Sequence, residues 1–190
     1  MSKDARATPV RATSAGVPAW IFGYGSLIWR PDFPFIVQRP ALLRGWRRRF
    51  WQASPDHRGV PDAPGRVVTL VEETGAHCWG MAFLTAATER EAILAALDIR
   101  EQNGYAREEV MVALEGKDTV SALTYIAGPA NPSFVGPAPL QDMATQIARS
   151  RGPSGANRDY LLELAANLSR LDIEDEEIVN LSRAVEALRA

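Results

Sequence analysis

Two segments of this 190-residue chain combine residue types and spacings that could do chemistry. In Phe22-Gly23-Tyr24-Gly25-Ser26-Leu27-Ile28-Trp29, two glycines follow a short apolar run. Such glycines let the backbone turn so that successive N–H groups point outward as an anion nest. The amides of Gly25, Ser26 and Leu27, helped by the Ser26 hydroxyl, could hold a small carboxylate there. A glycine-rich hairpin or bulge is the other reading of this pattern. The second segment, Leu97-Asp98-Ile99-Arg100-Glu101-Gln102-Asn103-Gly104-Tyr105, falls where a helical pattern ends, so Glu101 and Tyr105 can point into a cleft. A carboxylate at a helix C-terminus meets the unfavourable end of the dipole, and burial beside aromatics raises its pKa further. That makes a glutamate a usable base near neutrality. A solvated glutamate at a helix end is the plainer alternative.

Other segments exclude chemistries. Gly23-x-Gly25 has no third glycine at the fingerprint spacing and no amphipathic helix after it, which argues against a Rossmann site. Gly23-Tyr24-Gly25-Ser26 is not a G-x-S-x-G elbow, and Ser26 has no obvious base partner. Arg44-Gly45-Trp46-Arg47-Arg48-Arg49-Phe50-Trp51 mixes basic and aromatic residues, as nucleic-acid surfaces do. With Lys+Arg 21 against Asp+Glu 23, an amphipathic strand whose arginines pair with nearby acids is the better reading. No nucleic-acid partner is expected. His57, in Asp56-His57-Arg58-Gly59, reads as a surface loop histidine rather than a substrate contact. Cys78 sits inside an apolar strand pattern and reads as a buried, inert thiol.

One cysteine excludes an intramolecular disulfide and a cysteine-based zinc site, and His57 and His77 lack metal-ligand spacing. No metal and no cofactor are expected. No run approaches the roughly 20 apolar residues of a membrane span. Met1 to Arg6 leads into polar residues without an apolar signal core, so the expected setting is the reducing cytoplasm, away from any membrane.

The elements that must position these residues can be read from periodicity. Residues 1–18 read as a disordered tail, and 19–190 as a single domain. Strands are expected at Trp20–Phe22, Ala41–Trp51, Arg66–Val71, Cys78–Leu84, Glu109–Glu115 and Thr119–Ala127, with a loop from Ser54 to Gly65. On the last two strands, Val110, Val112 and Leu114 share one face, and Ser121, Leu123 and Tyr125 another. Thr88-Glu89-Arg90-Glu91 fits a capping box for a helix to Arg100. Helices follow at Leu140–Ser150, from an Asn157 N-cap to Leu171, and at Asp172–Leu188, the last beginning acidic and ending basic. Strands first and helices afterwards predict an α+β fold, a small antiparallel or mixed β-barrel with surrounding helices and a helical C-terminal region.

Taken in order, these segments resemble the ChaC-type, glutathione-specific γ-glutamylcyclotransferases. The resemblance lies in Phe22 to Trp29, Gly45 to Trp51, Asp56-His57-Arg58-Gly59, Pro64-Gly65-Arg66-Val67-Val68-Thr69-Leu70, Cys78-Trp79-Gly80, Arg100-Glu101 with Gly104-Tyr105, and Gly152-Pro153-Ser154-Gly155-x-Asn157. It implies the γ-glutamylcyclotransferase-like barrel and cleavage of glutathione, a small-molecule substrate, to 5-oxoproline and cysteinylglycine. Glu101 then looks like the general base and acid, and Tyr24 to Leu27 the anchor for the substrate α-carboxylate. Arg66, Tyr125 and Tyr105 look like further substrate contacts. Gln102-Asn103 and Phe134 depart from residues common in the family, which bears on substrate tuning more than on chemistry. Two other outcomes remain open: a cyclotransferase for other γ-glutamyl amino acids or γ-glutamylamines, and a non-catalytic ligand-binding or cation-transport regulatory protein.

Overall fold

A computed structural model describes residues 16–116 and 118–188. The expected tail therefore lies, up to residue 15, outside the described residues. Five strands, β1 (Ala19–Gly23), β2 (Val37–Ser54), β3 (Gly65–Thr85), β4 (Ala106–Leu114) and β5 (Thr119–Ile126), close a barrel in the order β1-β3-β2-β4-β5. Closure comes from the one parallel pairing, Trp20 with Ala122 and Ile21 with Leu123; the other neighbours are antiparallel. The α+β barrel expected from the element order is the one that forms.

The two strands expected at Arg66–Val71 and Cys78–Leu84 are one, the 21-residue β3. The polar stretch between them looked like a break, but its ends stay paired with β2, at Trp46 with Glu72 and Arg44 with His77. The register shifts between Arg44 and Trp46, and Gly45 there has φ +81°, a left-handed conformation that glycine adopts without cost. On β5 the buried residues include Ala122, Thr124 and Ile126 as well as Tyr125. The barrel interior takes the first set, while Tyr125 packs on the outside with Ile21, Leu27, Ile93 and Leu97. Both faces of this strand are therefore buried.

Helix α1 (Arg90–Arg100) makes that outer contact, which places its C-terminal end beside the Gly23–Leu27 segment. Its N-terminus is not a capping box. The turn closed by Glu89 N–H on Ala86 O (3.1 Å) puts Glu89 rather than Thr88 at the N-cap, with no side-chain cap. Helices α2 (Leu140–Arg149), α3 (Asn157–Arg170) and α4 (Glu176–Ala187) bury Ile147, Leu161, Leu164 and Leu181 in the same cluster as Phe22, Phe50 and Phe83. A two-residue hairpin, β6 (Arg151–Gly152) with β7 (Gly155–Ala156), precedes α3. Asn157 is the first residue of α3, not its N-cap. Its fully buried amide instead grips the start of β3, accepting Arg66 N–H at 2.6 Å and donating to Arg66 O at 2.7 Å. Among the described residues no helix is long and apolar enough to cross a membrane.

The arginine-rich strand is resolved by ion pairs. Arg47 meets Glu73 at 2.7 Å and Arg49 meets Glu177 at 2.5 Å. Arg48 is 1% exposed and meets Asp175, the N-cap of α4, at 2.6 Å.

Candidate active site

A cavity of about 270 Å³ opens where the end of β1, the C-terminus of α1 and the loop after β2 converge. Strand β1 runs into Gly23, where a Cβ would lie 2.5 Å from Leu27 Cβ; only glycine lets the chain fold back this tightly. A single 3-10 turn, Ser26–Ile28, follows and is closed by Ile28 N–H on Gly25 O at 3.0 Å. The first amides of a helical turn have no partner within it. Those of Gly25, Ser26 and Leu27 make no hydrogen bond among the described residues. These three consecutive donors are therefore uncommitted, in a segment that lines the cavity.

Its orientation is set from behind. Arg48 Nε donates to Tyr24 O at 2.7 Å and Nη2 to Trp79 O at 2.5 Å. In a trans peptide the carbonyl and the next N–H point opposite ways, so holding Tyr24 O also aims Gly25 N–H. The Tyr24 hydroxyl donates to Tyr125 O at 2.6 Å and ties the segment to β5. Ser26 Oγ accepts from Arg100 Nη2 at 2.9 Å, which leaves the hydroxyl proton available to a ligand.

Glu101 is the C-cap of α1, its N–H bonded to Leu97 O at 2.8 Å, and its side chain lines the cavity at 18% exposure. Burial raises its pKa above the ordinary carboxylate value, against the opposing charges of Arg100 and His57. Arg100 Nε stands 3.4 Å from Glu101 Oε1. Tyr105 and Tyr125 also line the cavity, but their hydroxyls are engaged. Tyr105 donates to Val68 O at 2.8 Å and Tyr125 to Asp98 Oδ1 at 2.6 Å. Burial pushes both phenols up, so they stay protonated. Asn103, one of the departures from the family pattern, lines the wall and donates to Asp56.

Arg66 is not brought to this cavity. Its guanidinium turns to Gln146 Oε1 at 2.7 Å and to the carbonyls of Phe50 (3.0 Å) and Gly136 (3.3 Å). Arg58, Arg100 and Tyr160 do line it, and sequence reasoning passed over all three. Tyr160 reads as one more apolar residue of the α3 stripe, and Arg100 was overshadowed by the glutamate after it. Arg58 lay in the Asp56-His57-Arg58-Gly59 motif, whose alternation of charge and glycine was the available signal.

At Gly25 a Cβ would lie 2.9 Å from Val68 Cγ2 and 3.0 Å from the Tyr160 hydroxyl. Gly25→Val should therefore displace the nest and raise the KM of its ligand by about tenfold or more, the loss of one charged hydrogen-bonded contact. Unchanged KM in a folded Gly25→Val protein would remove the carboxylate-anchor role.

A partly buried carboxylate in one cavity with three uncommitted amides and protonated tyrosines can bind a carboxylate and shuttle a proton next to it. The glutathione-specific γ-glutamylcyclotransferase 1 of Danio rerio is 41% identical over 172 residues, covering 87% of this chain and 88% of that protein. The human protein of the same name is 42% identical over 172 residues, covering 87% and 78%. The crystal structure of a γ-glutamylcyclotransferase specific to glutathione from yeast superposes with a TM-score of 0.83 at 30% identity, over 92% of this chain and 100% of that one. The family described as ChaC-like protein matches residues 19–188, and the chain belongs to that family.

Proposed function

We propose that this protein is a γ-glutamylcyclotransferase that cleaves glutathione to 5-oxoproline and cysteinylglycine. The observation that carries the reading is the placement of the partly buried Glu101 carboxylate in one cavity with the free Gly25, Ser26 and Leu27 amides. The activity named for the Danio rerio, human and yeast relatives supports it.

In this mechanism the nest holds the substrate α-carboxylate and folds the γ-glutamyl chain into a near-attack conformer. Such orientation can supply several kcal/mol, up to roughly 7–11 in favourable cases. Glu101 takes a proton from the α-ammonium. The freed amine attacks the γ-carbonyl, forming the lactam C–N bond, and the bond to the cysteinyl nitrogen breaks. Glu101 returns that proton to the departing nitrogen, then takes the second proton from the lactam nitrogen and passes it to the released amine, which leaves as an ammonium. The substrate supplies its own nucleophile, so no serine, cysteine, metal or cofactor is required. A cytoplasmic setting belongs to the same proposal, supported by the single cysteine, buried and unpaired.

The test is incubation of purified protein with glutathione, with mass-spectrometric detection of 5-oxoproline and cysteinylglycine. γ-Glutamyl-alanine run beside it reports on the wider cyclotransferase reading. Binding of glutathione without 5-oxoproline release would overturn the enzymatic reading in favour of a ligand-binding protein. Turnover should also survive a strong chelator and Cys78→Ser, because the Cys78 thiol is 2% exposed and burial pushes its pKa up. Loss of activity on chelation, with the fold intact by circular dichroism, would contradict the proposed chemistry.

A further inference from the structure

Glutathione carries two carboxylates, and the nest accommodates one of them. The charges lining the cavity indicate where the second goes. Three arginines line it. Arg30 pairs with Asp32 at 3.2 Å, and Arg100 pairs with Asp32 at 3.2 Å and Glu101 at 3.4 Å. Arg58 has no carboxylate within ion-pair distance among the described residues. Among the described residues its one side-chain hydrogen bond runs from Nη1 to Ala156 O at 3.2 Å, and the guanidinium lies 5.6 Å from the centre of the Tyr160 ring. Asp159 and Glu163 bear on it only at longer range, and burial and the neighbouring Arg30 charge both act to lower its pKa. A partly desolvated guanidinium with most of its five donors unspent is suited to a bidentate carboxylate.

The backbone carrying Arg58 is also held in place. Arg58 N–H donates to Ser54 Oγ at 3.0 Å and Ser154 N–H to His57 O at 2.9 Å. A Cβ at Gly59 would lie 2.1 Å from Gly65 N, and one at Gly152 would lie 2.3 Å from His57 O. The loop is thus locked backbone to backbone against the start of β3 and against β6, and it presents the guanidinium ready-made.

Resting on the glutathione reading above, we propose that Arg58 is the specificity residue that binds the second substrate carboxylate, on the C-terminal glycine of the tripeptide. The remaining alternative at this site is the α-carboxylate, and one substrate pair separates them: glutathione and its glycine-carboxyl ethyl ester. The ester retains the α-carboxylate and the scissile bond but loses the terminal charge.

The wild-type protein should show a KM for glutathione about tenfold below that for the ester, the discrimination of one charge-assisted contact. Arg58→Gln should raise the glutathione KM by the same factor, leave kcat within about threefold, and leave the ester KM within about twofold. Arg58→Lys, which keeps the charge but not the fork, should fall between. Equal losses on both substrates in Arg58→Gln would overturn the assignment, since the residue would then serve the α-carboxylate or the fold. A wild-type protein indifferent to esterification would overturn it without any variant. Failure of the wild-type protein to release 5-oxoproline from either substrate would overturn the functional reading, and this inference with it.

Discussion

Glu101→Gln should fold, bind glutathione, and release 5-oxoproline slower by about 10² or more, the usual contribution of a general base and acid. Glutamine keeps the size of the side chain and much of its hydrogen bonding but cannot accept the α-ammonium proton. Glu101→Asp should also be impaired, because one methylene fewer withdraws the carboxylate from the amine. The pH dependence follows from burial, which raises the Glu101 pKa against the opposing Arg100 and His57 charges. The base must be ionised, so kcat/KM rises with pH through that raised value. The acid limb should lie above the ordinary carboxylate range and be absent from the residual activity of Glu101→Gln. Stability has the opposite sign. The folded state holds this proton more tightly than the unfolded chain, so ionised Glu101 costs stability once pH exceeds the unfolded pKa. Glu101→Gln should thus be at least as stable as wild type at neutral pH, an advantage that fades in acid. Turnover within about twofold of wild type would make Glu101 an ordinary helix-end residue and end this mechanism.

Asp175→Ala should lower stability by about 3 kcal/mol or more, because removing one partner of a buried pair strands the other charge. Arg48 is 1% exposed and Asp175 Oδ2 stands 2.6 Å from its Nη1. For a domain of this size that loss corresponds to a fall in Tm of roughly 6–12 °C. Asp175 also caps α4 through Ile178 N–H at 3.3 Å, and a cap alone is worth about 1 kcal/mol. Asp175→Asn separates the two effects, since asparagine retains a capping oxygen but not the charge. Thermal denaturation of both variants is the measurement. A loss of only about 1 kcal/mol in Asp175→Ala would show that the ion pair adds nothing beyond the cap. Because Arg48 also holds Tyr24 O, the glutathione KM should rise in whatever Asp175→Ala protein remains folded.

The features legible in the sequence are those settled by near neighbours along the chain. Two glycines within three residues, after an apolar run, specify a tight turn; a 3-10 turn at Ser26–Ile28, preceded by uncommitted amides, is the result. The end of an amphipathic stripe at Arg100 places Glu101 where a helix releases its backbone, and it is the C-cap. Alternating Val110, Val112 and Leu114 needed only the period of a pleat to be placed on one face, where Val110 and Val112 are buried and Leu114 partly so. Charge balance alone sufficed to pair Arg47 and Arg49 with acids rather than with a polyanion.

Features read wrongly or not at all depend on partners far away in the chain. Asn157 carries the residue type of a helix cap, but Arg66, 91 positions earlier, offers a buried N–H and C=O at matching spacing and takes its amide instead. The break expected after Val71 is bridged because β2 lies alongside and supplies the ladder. Arg66 looked like a substrate contact and is turned to Gln146, while Arg58 looked like a loop residue and lines the cavity with no carboxylate at ion-pair distance among the described residues. A side chain's charge is written in the sequence, but whether that charge is neutralised depends on which residues surround it. Burial and ion pairing are properties of the folded chain, and here Arg48 finds its carboxylate 127 residues on, at Asp175.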